Sequence, residues 1–65
     1  MKLKNALGHI PRTIPVRIFV GCQTILNGKR NEIPENEFNL KMRPYMDCDV
    51  LATYVNNGSF VMSIQ

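Results

Sequence analysis

The sequence predicts a small α+β domain, a short N-terminal helix packed on a small curled antiparallel sheet of about four to five strands ending in a C-terminal β-hairpin. Three observations predict it. Two β-rich runs, Val50–Val55 and Ser59–Ile64, flank Asn56-Asn57-Gly58, a strong short-range hairpin signal. Leu3, Leu7 and Ile10 recur at helical spacing ahead of Pro11, with Ala6 on the same stripe. Between these ends lie two runs of strand-like alternation, Thr13–Val20 and Phe38–Arg43.

The apolar stripe predicts a helix over residues 2–9. Gly8 weakens its end and Pro11 stops it, because the residue before a proline is pushed out of the α region. So short a helix does not hold in isolation and must dock through Leu3, Leu7 and Ile10. His9 stands at the helix end, where it reads as a cap rather than a catalytic base.

In Thr13–Val20, Pro15 suits a strand start, where no ladder N–H is missed. Val16, Ile18 and Val20 share one face, Arg17 and Phe19 the other. Gly21-Cys22 can serve as a two-residue turn of the Gly-X kind. Gln23–Leu26 then returns antiparallel, with Ile18 opposite Ile25, and Asn27-Gly28 makes a second turn before the loop Lys29–Glu32. Ile33–Glu37 reads as a tight or single helical turn. In Phe38–Arg43 the alternation turns Phe38, Leu40 and Met42 inward and Asn39, Lys41 and Arg43 outward, and Pro44 closes the strand.

The final hairpin has two registers. A type I′ turn at Asn57-Gly58 pairs Val55 with Phe60, Thr53 with Met62 and Leu51 with Ile64. A three-residue loop with Gly58 in a bulge pairs Tyr54 with Phe60, Ala52 with Met62 and Val50 with Ile64. A slip of one residue exchanges the faces of the strand, so Tyr54 is either a core aromatic or an exposed one.

A chain of 65 residues forms one domain with a thin core. A domain this size buries only about 60% of the surface its unfolded chain exposes, so a homo-oligomer or a complex with a partner is plausible on size alone. An apolar fraction of 45% argues against disorder. Cys22 and Cys48 are too few for a disulfide scaffold and form no C-x-x-C pair; two reduced thiols are the expectation, a single bridge the alternative. No apolar run approaches the ~20 residues that span a bilayer, and the first ten residues lack a signal-like apolar stretch. These features predict a soluble, cytoplasmic protein with no membrane partner.

Net charge is +3, but residues 1–30 carry +6 with no acid, and residues 31–65 carry −3. Such a dipolar distribution can steer a polyanion or an acidic partner to one side. Equally, the two halves can meet and neutralise one another in the fold.

No catalytic, metal or phosphate-binding motif is present, and neither an enzymatic activity nor a cofactor is expected. Asp47-Cys48-Asp49 is spaced like the start of a calcium loop, but the fifth position is Leu51 and the turn glycine is missing. The candidate binding surface is polar. Asn39, Lys41 and Arg43 would line one strand face with Tyr45 just beyond, and the Lys29-Arg30 loop would add charge. Cations interleaved with aromatics on a sheet face are how many small β-domains hold single-stranded nucleic acid. A solvated strand face has the same composition. Met42, Met46 and Met62 lie in or beside apolar runs and read as core filling before partner contact.

The order Lys4-x-x-Leu7-x-x-Ile10-Pro11, Thr13-x-x-Val16-Arg17-Ile18, Ile33-Pro34 and a closing hairpin resembles small uncharacterised proteins encoded by phages and prophages of Gram-positive bacteria. What the resemblance implies is a protein that binds and blocks a host enzyme or defence component or sequesters a small signalling molecule. Small size, absent catalytic motifs and strand edges that need cover point to a non-enzymatic binding module. The alternative is a small basic nucleic-acid or nucleotide-binding protein.

Overall fold

The computed structural model describes residues 1–65. Helix α1 (Leu3–Gly8) precedes strands β1 (Pro15–Val20) and β2 (Gln23–Lys29), then α2 (Glu35–Met42) and strands β3 (Val50–Asn56) and β4 (Ser59–Ile64). Single 3₁₀ turns, Arg30–Glu32 and Arg43–Tyr45, flank α2. The α+β class with its N-terminal helix and C-terminal hairpin stands. The sheet has four strands in the order β2-β1-β4-β3. It is mixed rather than antiparallel throughout: two antiparallel hairpins are joined by a central parallel pair, β1 with β4.

The stretch expected as a strand, Phe38–Arg43, is helical instead. Phe38 and Met42 stand one turn apart and are buried, whereas Leu40 is 76% exposed. A six-residue alternation satisfies a helix as well as a strand when one apolar residue can face water. Upstream signals favour the helix: Pro34 precedes its first turn, Glu35 and Glu37 lie in that turn, and Lys41 lies in the last. Carboxylates near the N-terminus and a cation near the C-terminus complement the helix dipole. Pro44 sits early in the following 3₁₀ turn rather than closing a strand.

The sheet buries one face against both helices. Val16, Ile18, Met62 and Ile64 from the two central strands meet Leu3 and Leu7 of α1 and Phe38 and Met42 of α2. Each of these is at most 3% exposed. A bulge in the β1–β2 pairing sets Ile18 opposite Leu26, not Ile25, and turns both adjacent residues into the core. Strand β2 also continues through Asn27 and Gly28 to Lys29, so no turn forms there.

Both hairpin turns form where the sequence places them. Gly21, with φ of 60°, and Cys22 link β1 to β2, with Val20 opposite Gln23. At the second turn, Asn57 has φ of 52° and Gly58 of 80°, the positive pair that a type I′ turn requires. Val55 accordingly pairs with Phe60 and Thr53 with Met62, but a bulge then returns Val50 to Ile64. The hairpin thus starts in one of the two expected registers and finishes in the other.

Helix α1 is too short to stand alone and is stitched to the segment before β3. The unpaired N–H groups at its start donate to the carbonyls of Cys48 (Leu3, 2.9 Å) and Met46 (Lys4, 3.1 Å). The Val50 N–H donates to the Met1 carbonyl at 2.9 Å. At the other end, His9 Nδ1 donates to the Asn5 carbonyl at 2.7 Å, the capping role expected of it.

Candidate binding edge

Opposite the helices, the sheet is bare. Its cross-strand rows read Asn27–Arg17–Val61–Tyr54 and Thr24–Phe19–Ser63–Ala52. Val61 is closed off among its neighbours, and the Arg17 guanidinium lies 5.8 Å from the Phe19 ring centroid. Tyr54 falls on this outer face and is 53% exposed, which settles the alternative left by the two registers.

The two sheet edges differ. Strand β2 has a bulge within its run and Lys29 at its end, both devices that discourage pairing with another strand. Strand β3 reads Val-Leu-Ala-Thr-Tyr-Val-Asn, with no charge and no proline. Every residue after Val50 is exposed, Leu51 by 61% and Val55 by 69%. Its backbone alternates. The pair flanking a two-residue turn, here Asn56 and Ser59, exchanges both hydrogen bonds, and so do Tyr54–Val61 and Ala52–Ser63. The N–H and C=O of Thr53 and Val55 therefore point away from the sheet.

At its start the edge is closed. Lys2 bridges Asp49 through the backbone, and its ammonium lies 3.5 Å from that carboxylate. The open edge runs from Leu51 to Asn56.

The six residues of the expected polar surface do not form one stripe. On a helix that advances about 100° per residue, Asn39 and Lys41 point to nearly opposite sides, as do Lys41 and Arg43. Tyr45 is half-buried against the core. Arg30 stacks its guanidinium 4.4 Å from the Phe38 ring centroid, fixing the 3₁₀ turn to α2. Burial and then the nearby Arg12 charge lower its pKa, with Glu35 acting the other way. Lys29 pairs with Glu32 at 3.9 Å. Lys41 and Arg43 are exposed and carry no ion pair. The β3 edge escaped sequence reasoning because a strand becomes an edge only through the sheet order; its lack of charge was the visible signal.

The two charge halves do meet: Lys2 reaches Asp49, and Lys4 reaches Asp47 at 3.1 Å. These pairs are solvent-exposed and add little stability. They also tie up the two carboxylates that resembled a calcium loop, and no three His, Cys, Asp or Glu side chains converge on one point. Cys22 and Cys48 are unbridged. No pocket opens in the surface, and no helix is long and apolar enough to cross a membrane. Comparison of the chain with family models, curated proteins and solved structures returns no match.

Proposed function

We propose that this chain is a non-enzymatic binding module that acts by protein–protein contact along the β3 edge, as a phage-encoded protein that binds and inhibits a host or defence component would. The observation that carries this reading is the uncharged strand with unpaired backbone groups and exposed Leu51, Tyr54 and Val55. Strand addition to such an edge draws affinity from main-chain hydrogen bonds and specificity from alternate side chains. Two unbridged thiols accord with a cytoplasmic setting.

A second reading, a small nucleic-acid or nucleotide binder, draws on the bare outer face. Arg17, Phe19 and Tyr54 lie there, and none of the four strands contains an acidic residue. Cations that follow phosphates and rings that stack bases suit a single strand.

One experiment separates the two. Tagged wild-type protein and the Val55→Lys variant are incubated with bacterial lysate, with and without nuclease. The expected result is a stoichiometric protein partner that survives nuclease and is lost with Val55→Lys, since a lysine on an edge strand discourages pairing. Equal capture by both proteins removes β3 from the interface. Recovery that collapses with nuclease overturns the protein-contact reading in favour of the second.

A further inference from the structure

We propose that the strand accepted by the β3 edge is β3 of a second copy of this chain, antiparallel about a two-fold axis at Tyr54. The inference rests on the reading of β3 as the contact edge and names what covers that edge in the free protein, a second copy that a partner strand must displace. Two four-stranded sheets then join into one continuous sheet.

The backbone selects this register. With the axis at Tyr54, Thr53 faces Val55 of the second copy, and Val55 faces its Thr53. Residues facing in a hydrogen-bonded antiparallel pair exchange both bonds. Every outward N–H and C=O of Thr53 and Val55 is thereby satisfied on both chains. With the axis at Thr53 instead, Val55 would face Leu51, which lies in the bulge. Asn56 of the second copy would also fall beside Val50, where the Met1 carbonyl already accepts the Val50 N–H. The competing alignment therefore sets a strand residue against the N-terminal segment, whereas the Tyr54-centred one brings only the Asn57-Gly58 turn, where the chain already bends away toward β4, beside Leu51 and Val50.

Side chains agree with the backbone. Residues 50–56 carry no charge, so two copies do not repel across the junction. Tyr54 meets its own copy in a non-hydrogen-bonded pair, where Cα atoms approach to about 4.5 Å, and the rings lie together on the bare outer face. A two-fold interface is self-complementary by construction and closes at two copies. The far edges, both β2, are the bulged, lysine-ended ones, so the sheet does not propagate. Pairing five residues on each side, with the flanking side chains, removes on the order of 500 Å² per chain from water, near the ~1,000 Å² total that marks the lower limit of a specific interface. The dimer is accordingly reversible, with a dissociation constant of roughly 1–100 μM.

Sedimentation equilibrium between about 1 μM and 1 mM tests this. The wild type is expected to pass from monomer to dimer mass, and Val55→Lys to shift the midpoint upward by at least about tenfold. Thr53→Pro removes a donor that the β3–β4 pairing does not use, so it is expected to stay folded by circular dichroism and remain monomeric. In a Cys22→Ser/Cys48→Ala background, Tyr54→Cys should oxidise to a disulfide-linked dimer, because its Cα separation across the axis suits the bond. A wild type that stays monomeric throughout, with Thr53 and Val55 amides exchanging as fast as those of the Asn57-Gly58 turn, overturns the proposal. So does a dimer that survives Thr53→Pro and fails to cross-link through Tyr54→Cys. If the wild type is monomeric yet Val55→Lys still abolishes lysate capture, the dimer fails and the partner-binding function stands.

Discussion

Replacing Met42 with alanine is expected to destabilise the fold by about 2–5 kcal/mol, while Leu40→Ala changes stability by no more than about 0.5 kcal/mol. Met42 has no exposed surface, and Leu40 is 76% exposed. Truncating Met42 opens a cavity that neighbours from both helices and the sheet cannot readily fill. Native domains hold roughly 0.05–0.15 kcal/mol per residue, so a loss of this size removes much or all of the stability of so short a chain. Urea unfolding of the two variants measures the contrast directly. Comparable losses at both positions would mean that Phe38–Met42 buries alternate residues after all, as a strand does.

Leu3→Ala is expected to cost about 3 kcal/mol and to loosen β3 as well as α1. A six-residue helix cannot sustain itself, so its order comes from Leu3, Ala6 and Leu7 packing under the sheet. The same segment holds Val50 through the Met1 carbonyl and Cys48 through the Leu3 N–H. Hydrogen exchange at the Val50 amide should accelerate beyond the change explained by global stability alone. Lys4→Ala removes only the exposed contact to Asp47 and should leave both stability and Val50 exchange within about 0.5 kcal/mol of the wild type. Unchanged Val50 exchange in Leu3→Ala would separate the helix from the edge.

The parts of the fold legible in the sequence are those that short-range chemistry determines. Pro11 ends α1, Pro15 opens β1, and the two turns follow from Gly21-Cys22 and Asn57-Gly58. Phe38–Arg43 was illegible because six residues of alternation satisfy two periods, and only tertiary burial shows which apolar residue is left outside. The parallel β1–β4 pair joins segments more than forty residues apart, beyond the reach of any local signal. The two bulges move Ile25 and Leu51 out of strict alternation, which no single-residue preference announces. The candidate site suffered from the same gap. Asn39, Lys41 and Arg43 share a face only in a strand, and the helix disperses them. Tyr54 and Val55 become a surface only once β3 is placed outermost.

The central position of β4 has a consequence for how the chain is made. Ribosomes deliver β1 long before β4, yet β1 lies between β2 and β4, and the floor beneath α1 and α2 includes Met62 and Ile64. Until β4 emerges, one side of β1 is a row of unpaired N–H and C=O groups and both helices rest on half a sheet. Folding must therefore wait until β4 is available and then close a long loop, which slows it relative to a helical domain of the same length. Its most vulnerable moment is the interval when the first hairpin is complete and its missing neighbour has not yet left the exit tunnel.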